Sequence, residues 1–286
     1  MAQFPRLPRK ASPLMSRICG WFHEHILIPI SNQYVRIYPD RAIGPGIYPL
    51  PFGLLLKFTP GTREEECLAM SVAYAIGIPV PRFISYGDHG SSYPWGSILM
   101  TRIPGRPLTD LMDSLSPSEW DIIRSDISSH LDRMRSYANP WGTRICGIDG
   151  HDFYGARVPS GHLPACSNER EFHEALLRFA FNVKGEPGAK LLRTAEKMLA
   201  LPPHAIVFTH GDLWHHNIMV HNGRVSGIID WEWAGWMPEY WEFTSIMRCT
   251  IFSWSQFLST LPQYQYEAEL ESEIALVAMS ANSFKY

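Results

Sequence analysis

His210-Gly211-Asp212-Leu213-Trp214-His215-His216-Asn217 and, after an apolar run, Ile228-Ile229-Asp230-Trp231-Glu232 decide how this chain is read. Asp212 and Asn217 stand five residues apart in one loop, and Asp230 follows Asn217 by thirteen, at the end of a strand-like segment. An ionised carboxylate accepts protons and hydrogen bonds but donates none, so Asp212 suits a base beside an alcohol. Asn217 offers a neutral hard oxygen and Asp230 a charged one. Magnesium takes few protein ligands and leaves its other positions to water and phosphate oxygens, so two such residues suffice. This is the layout that phosphoryl transfer from a nucleotide to a hydroxyl requires.

The flanking residues place those groups at strand ends. Val207-Phe208 leads into the loop, Ile218-Met219-Val220 leaves it, and Val225 to Ile229 reads as a further buried strand. Between the last two, His221-Asn222-Gly223-Arg224 is hairpin chemistry, since Asn-Gly supplies positive φ. Upstream, Phe52 to Phe58 is an apolar strand carrying Lys57, and a lysine there is costly unless paired. Glu64-Glu65-Glu66 opens a helix with Leu68, Ala69, Val72 and Ile76 on one face. Glu65 shares that face and is the chosen partner for Lys57, with Glu66 in reserve.

The segments His210 to Asn217, Gly227 to Gly235 and Pro238-Glu239-Tyr240-Trp241-Glu242 resemble the aminoglycoside phosphotransferase and choline kinase group, most closely its fungal phosphotransferase branch. The resemblance covers most of residues 35 to 250. It implies an α+β, protein-kinase-like fold of two lobes: a small β-rich lobe with one main helix, then a larger, mainly helical one. Residues 1–102 would form the N-terminal arm and nucleotide-binding lobe, and residues 103–286 the catalytic and acceptor-binding lobe. It further implies Asp212 as catalytic base and Asn217 and Asp230 as ligands of Mg2+. Lys57 would hold the phosphates of ATP, or of GTP. Ser97 to Leu108 resembles the family's hinge between lobes, which implies Met100, Arg102 and Ile103 on the adenine side. His215 or His216 would face the phosphates or solvent. The acceptor would be a small hydroxylated metabolite. Ile43-Gly44-Pro45-Gly46 is a degenerate counterpart of a phosphate-covering glycine loop, and this departure leaves open a fold relative used for another reaction, or for binding alone. Trp231-Glu232 after Asp230 argues against a protein kinase.

Composition sets outer limits. A chain of 286 residues can bury a large core, and a net charge of −3 gives no footprint for nucleic acid. The longest apolar runs are too short to span a bilayer, which makes cytoplasm the expected location. Five widely spaced cysteines without a C-x-x-C suggest small buried side chains rather than disulfides or zinc. His210, His215, His216 and His221 lack the helical i, i+4 spacing of a zinc site. Glu232, Glu239 and Glu242 are acids that could meet a cationic acceptor, the last two resembling framework residues. The first stretch, basic and interrupted by Pro5, Pro8 and Pro13, reads as a loosely packed arm. Ser116-Pro117-Ser118-Glu119 opens one helix and Asn168-Glu169 another, while Leu108 to Ser114 and residues 188–200 read as helices. The aromatic side chains of the tail, among them Trp241, Phe243, Phe252, Trp254 and Tyr264, read mainly as core.

Overall fold

The computed structural model describes residues 2–90, 96–155, 157–158, 161–180, 185–247 and 252–280. The N-terminal lobe is built on four antiparallel strands: β1 (Ile47–Leu50), β2 (Leu54–Lys57), β3 (Phe83–Asp88) and β4 (Gly96–Thr101), in the order β1-β2-β4-β3. Register pairs Lys57 with Ile98 and Leu55 with Met100. Lys57 thus ends a strand that has a neighbour on each side. The helix predicted after it runs over Glu64–Ala75 and stops before Gly77, whose φ is +80°.

A second helical unit precedes the sheet. Pro13–Phe22 is helical, His23–Leu27 makes a π-helical turn, and Ile28–Ile37 continues the run. The arm is therefore ordered rather than loosely packed. Ser12 caps the first helix by accepting from the Met15 N–H, and Pro13 sits at its first position, where a missing N–H costs nothing. The side turned to the sheet is small and polar: Ser16, Gly20, His23 and Ser31 are buried. Gly20 permits the approach, since a Cβ there would lie 2.3 Å from the carbonyl oxygen of Asp88. Ahead of the helix the chain reaches the other lobe. The Ala2 N–H donates to the Ser136 carbonyl at 2.9 Å, and Phe4 packs edge-on against Trp236 with ring centres 4.6 Å apart.

The C-terminal lobe is mainly helical. With the N-terminal helices numbered α1 (Pro13–Phe22), α2 (Ile28–Ile37) and α3 (Glu64–Ala75), it contributes α4 (Pro117–Arg135), α5 (Glu169–Leu177), α6 (Gly185–Glu196), α7 (Trp241–Met247), α8 (Phe252–Ser259) and α9 (Glu267–Met279). The predicted capping box is present at Ser116 and Glu119, and Asn168 caps α5. Short strands frame the loops: β5 (Arg106–Pro107), β6 (Cys146–Gly147), β7 (Phe153–Tyr154), β8 (His162–Leu163), β9 (Ile206–Thr209), β10 (Ile218–His221), β11 (Arg224–Ile228) and β12 (Gly235–Pro238). The β10–β11 hairpin turns through Asn222 and Gly223, both at positive φ as expected.

Trp231, Trp236, Trp241, Trp254 and Tyr264 are fully buried, which makes the aromatic tail core. Cys67, Cys146 and Cys166 are buried free thiols and Cys19 is half-buried. Cys249 and the side chain of Phe252 lie outside the described residues. No helix among the described residues is long and apolar enough to cross a membrane.

Candidate active site

Strand β9 delivers the chain to His210, and the first turn of α7 fixes the loop that begins there. The buried Glu242 carboxylate accepts from three backbone N–H groups of that loop: His210 at 2.8 Å, Gly211 at 3.1 Å and Leu213 at 3.1 Å. Gly211 has a φ of +85°, and a Cβ there would lie 2.3 Å from the Trp233 carbonyl oxygen, so only glycine fits. His210 is buried and ties the loop to the end of β11. Its Nε2 lies 3.0 Å from the Ile229 carbonyl, which can only accept, so Nε2 carries the proton and Nδ1 accepts from the Asp212 N–H at 3.2 Å. Burial holds its pKa below the ordinary imidazole value, in keeping with this neutral form.

The braced loop brings Asp212 and Asn217 together. Asn217 Nδ2 donates to the Asp212 carbonyl at 2.9 Å and to its Oδ2 at 3.0 Å, which turns the amide oxygen the other way. Asp212 is pushed up to about 7, by burial first and then by the charges of Asp230 and Glu242, against the pull of the Asn217 bond. Asp230 stands at the end of the β11 segment with φ +65°, a left-handed conformation uncommon outside glycine and frequent at functional sites.

Lys57 gathers the other acids. Its Nζ lies 3.0 and 3.1 Å from the two oxygens of Glu66, 2.6 Å from Asp230 and 3.6 Å from Glu232. Burial opposes the ammonium, yet these three carboxylates together raise its pKa above the usual lysine value. Glu66 is shifted upward by burial, with Asp230 and Glu232 adding to the rise.

The partner of Lys57 is thus Glu66 and not Glu65, which turns outward to meet Lys10 at 2.7 Å. The face rule misled because α3 is buried nearly all round: Cys67, Leu68, Ala69, Met70, Val72 and Ala73 are all covered. Glu66 shares its innermost side with Ala69, Met70 and Ala73.

A cavity of about 450 Å³ opens beside this cluster. Lys57, Glu66 and Asp230 line one part of it, Met100, Arg102 and Ile103 another, and Leu55, Met219 and Ile229 add apolar wall. Ala42 and Ile43 line it from the segment that resembles a degenerate glycine loop. Five of the predicted positions (Lys57, Met100, Arg102, Ile103 and Asp230) therefore share one cavity. His215 does not join them: its Nδ1 lies 2.6 Å from Thr109 Oγ1 and its ring packs edge-on against Trp254. His216, like the buried His210, is within electrostatic reach of Asp230.

Sequence reasoning placed Glu232 and Glu242 among acids for a cationic acceptor. The structure sets Glu232 beside Lys57 and Glu242 against the backbone of the loop that begins at His210. Glu66, Asp230 and Glu232 each offer an oxygen within 4.8 Å of the others, and the Lys57 ammonium lies among the three.

Comparison with known proteins agrees with this architecture. The chain resembles the apo form of a thermostable mutant of aminoglycoside phosphotransferase APH(4)-Ia at 13% identity, with 87% of this chain and 89% of that one covered and a TM-score of 0.58. A ternary complex of the same enzyme with ADP and hygromycin B aligns at 12% identity over 87% and 88%, with a TM-score of 0.57. The GDP complex of a mutant aminoglycoside 2′-phosphotransferase-IIIa aligns at 13% identity over 90% and 87%, with a TM-score of 0.54. These likenesses identify the protein-kinase-like fold. No curated protein sequence matches the chain. The profile of the phosphotransferase enzyme family matches residues 58–272, three-quarters of its length, and the chain belongs to that family.

Proposed function

We propose that this protein transfers the γ-phosphoryl group of ATP, or of GTP, to a hydroxyl of a small molecule with the help of magnesium. The observation that carries the proposal is the Lys57 ion cluster on the wall of a cavity about 450 Å³ in volume, with Asp230 of that cluster within electrostatic reach of Asp212, which Asn217 bonds. The apolar wall around Leu55, Met100 and Met219 suits a flat purine. The Ile103 N–H has no hydrogen-bond acceptor among the described residues and is available to the base edge. Lys57 would hold the phosphates, oriented by Glu66. Asn217 and Asp230 would hold magnesium, which when bound would neutralise the phosphates. Asp212 would orient the acceptor hydroxyl and take its proton. In this reading residues 1–102 contribute nucleotide binding and residues 103–286 catalysis and acceptor recognition.

Related folds with bound ADP and hygromycin B, or with GDP, support nucleotide binding. The acceptor is a separate matter. Glu232 and Glu242 are engaged by Lys57 and by the loop amides, while Arg63 stacks 3.6 Å from the centre of the Tyr154 ring and is attracted by Glu232. This arrangement favours a neutral or anionic hydroxylated acceptor over a polycation.

Calorimetry of ATP and GTP with and without magnesium tests the proposal. Wild type should bind nucleotide in a magnesium-dependent manner, and Asp230→Ala should lose that dependence. Glu66→Gln should weaken binding about tenfold, near 1.4 kcal/mol, while Glu65→Gln should leave it unchanged. A folded wild-type protein that binds neither nucleotide would sink the proposal.

A further inference from the structure

The helical run from Pro13 to Ile37 is amphipathic in reverse. Its small and polar residues Ser16, Gly20, His23 and Ser31 are buried against the sheet. Its large apolar residues face water: Leu14 is 71% exposed, Trp21 57%, and Met15, Ile18 and Phe22 are exposed beside them. Leu14, Ile18 and Trp21 are spaced i, i+4, i+7 and so form one stripe, with Met15 and Phe22 along its flank. Ile26 within the π-helical turn and Ile30 beyond it extend the exposed apolar surface. Single exposed apolar side chains are ordinary, but a contiguous row on one helix needs a cover.

The charges around the stripe select that cover. Arg6, Arg9, Lys10, Arg17, Arg36 and Arg41 outnumber Glu24 and Asp40 over this stretch, although the whole chain has a net charge of −3; Lys10 pairs with Glu65 and Asp149, Arg17 with Asp88 and Arg41 with Asp40. Arg6 and Arg9 are exposed and make no ion pair among the described residues. A second copy seated on the stripe would set these cations against themselves, because a two-fold interface pairs the same patch with itself. An anionic bilayer surface satisfies both features. Its headgroup boundary takes apolar side chains, and a tryptophan in particular, while its phosphates and carboxylates attract arginine.

We propose that this arm lies in the surface of an anionic membrane and docks the protein there reversibly, without crossing it. The test is co-sedimentation of the full chain with vesicles of phosphatidylcholine alone or mixed with phosphatidylserine, at low and high salt. The expected result is at least about tenfold stronger partition onto the mixed vesicles, weakened by salt. Ile18→Glu with Trp21→Glu should remove it with little change in melting temperature, since both side chains face solvent. Arg6→Ser with Arg9→Ser and Arg17→Ser should remove the preference for phosphatidylserine, and this variant leaves the apolar stripe intact. Failure to bind either vesicle would overturn the proposal. So would a concentration-dependent dimer in sedimentation velocity that the first variant abolishes.

Discussion

Asp212 occupies a position that disfavours its own charge. Its pKa of about 7 means that the folded chain holds this proton far more tightly than the unfolded chain, where the carboxyl titrates near 3.8. The ionised form therefore opposes folding: the penalty is absent below pH 4, grows through pH 4 to 7, and is full above it. In the absence of divalent cations, Asp212→Asn should melt several degrees above wild type at pH 8 and level with it near pH 4. The same variant should lose turnover by at least about 100-fold, the usual loss when a positioned base is removed. Thermal melts across pH, alongside a phosphate-transfer assay, check both halves. The loop and strand-end positions of Asp212, Asn217, Asp230 and Lys57 were legible because local spacing fixes each of them. The choice of Glu66 was not, because a helix buried over most of its circumference offers no single face to choose by. The surroundings of His216 and Glu232 were not legible for another reason: they come from segments distant in sequence, which periodicity does not record.

The arm helix shows where patterning fails for an element. Apolar periodicity assumes that the apolar side faces inward, and here the inward side is Ser16, Gly20, His23 and Ser31. The strands, the β10–β11 hairpin and the α4 cap were readable because turn and cap residues act locally. Leu108–Asp110 forms a single 3-10 turn where a helix was expected, and the run to residue 200 changes to 3-10 geometry at Lys197. His23 carries the pH dependence of the arm. Its Nδ1 lies 2.7 Å from Ser97 Oγ and its Nε2 2.9 Å from Ser85 Oγ, with His89 Nε2 on the same Ser97 hydroxyl at 2.9 Å. Burial, then the neighbouring His89, holds its pKa down to about 4. A depressed pKa gives stability that is present above the ordinary value near 6.5 and lost as pH falls towards 4. His23→Gln should be less stable than wild type at pH 8, with a shallower decline between pH 7 and 4. Parallel slopes in a pH series of melts would contradict this.

At the scale of the whole molecule, the first residues act on the lobe they do not begin. Phe4 is buried against Trp236, Phe208 and Tyr137, three aromatic rings of the C-terminal lobe. Phe4→Ala should cost about 3–5 kcal/mol in denaturant unfolding, the range for emptying a buried phenylalanine site. A change below about 1 kcal/mol would mean that this strap is not closed in solution. Farther along, Lys10 joins Glu65 on α3 to Asp149 in the other lobe, at 2.7 and 3.1 Å. The chain therefore passes between the lobes twice, at the strap and again after β4. Residues 2–10 therefore work as a clasp laid across the seam between the lobes, and cutting the chain within them would leave one covalent crossing where there are two.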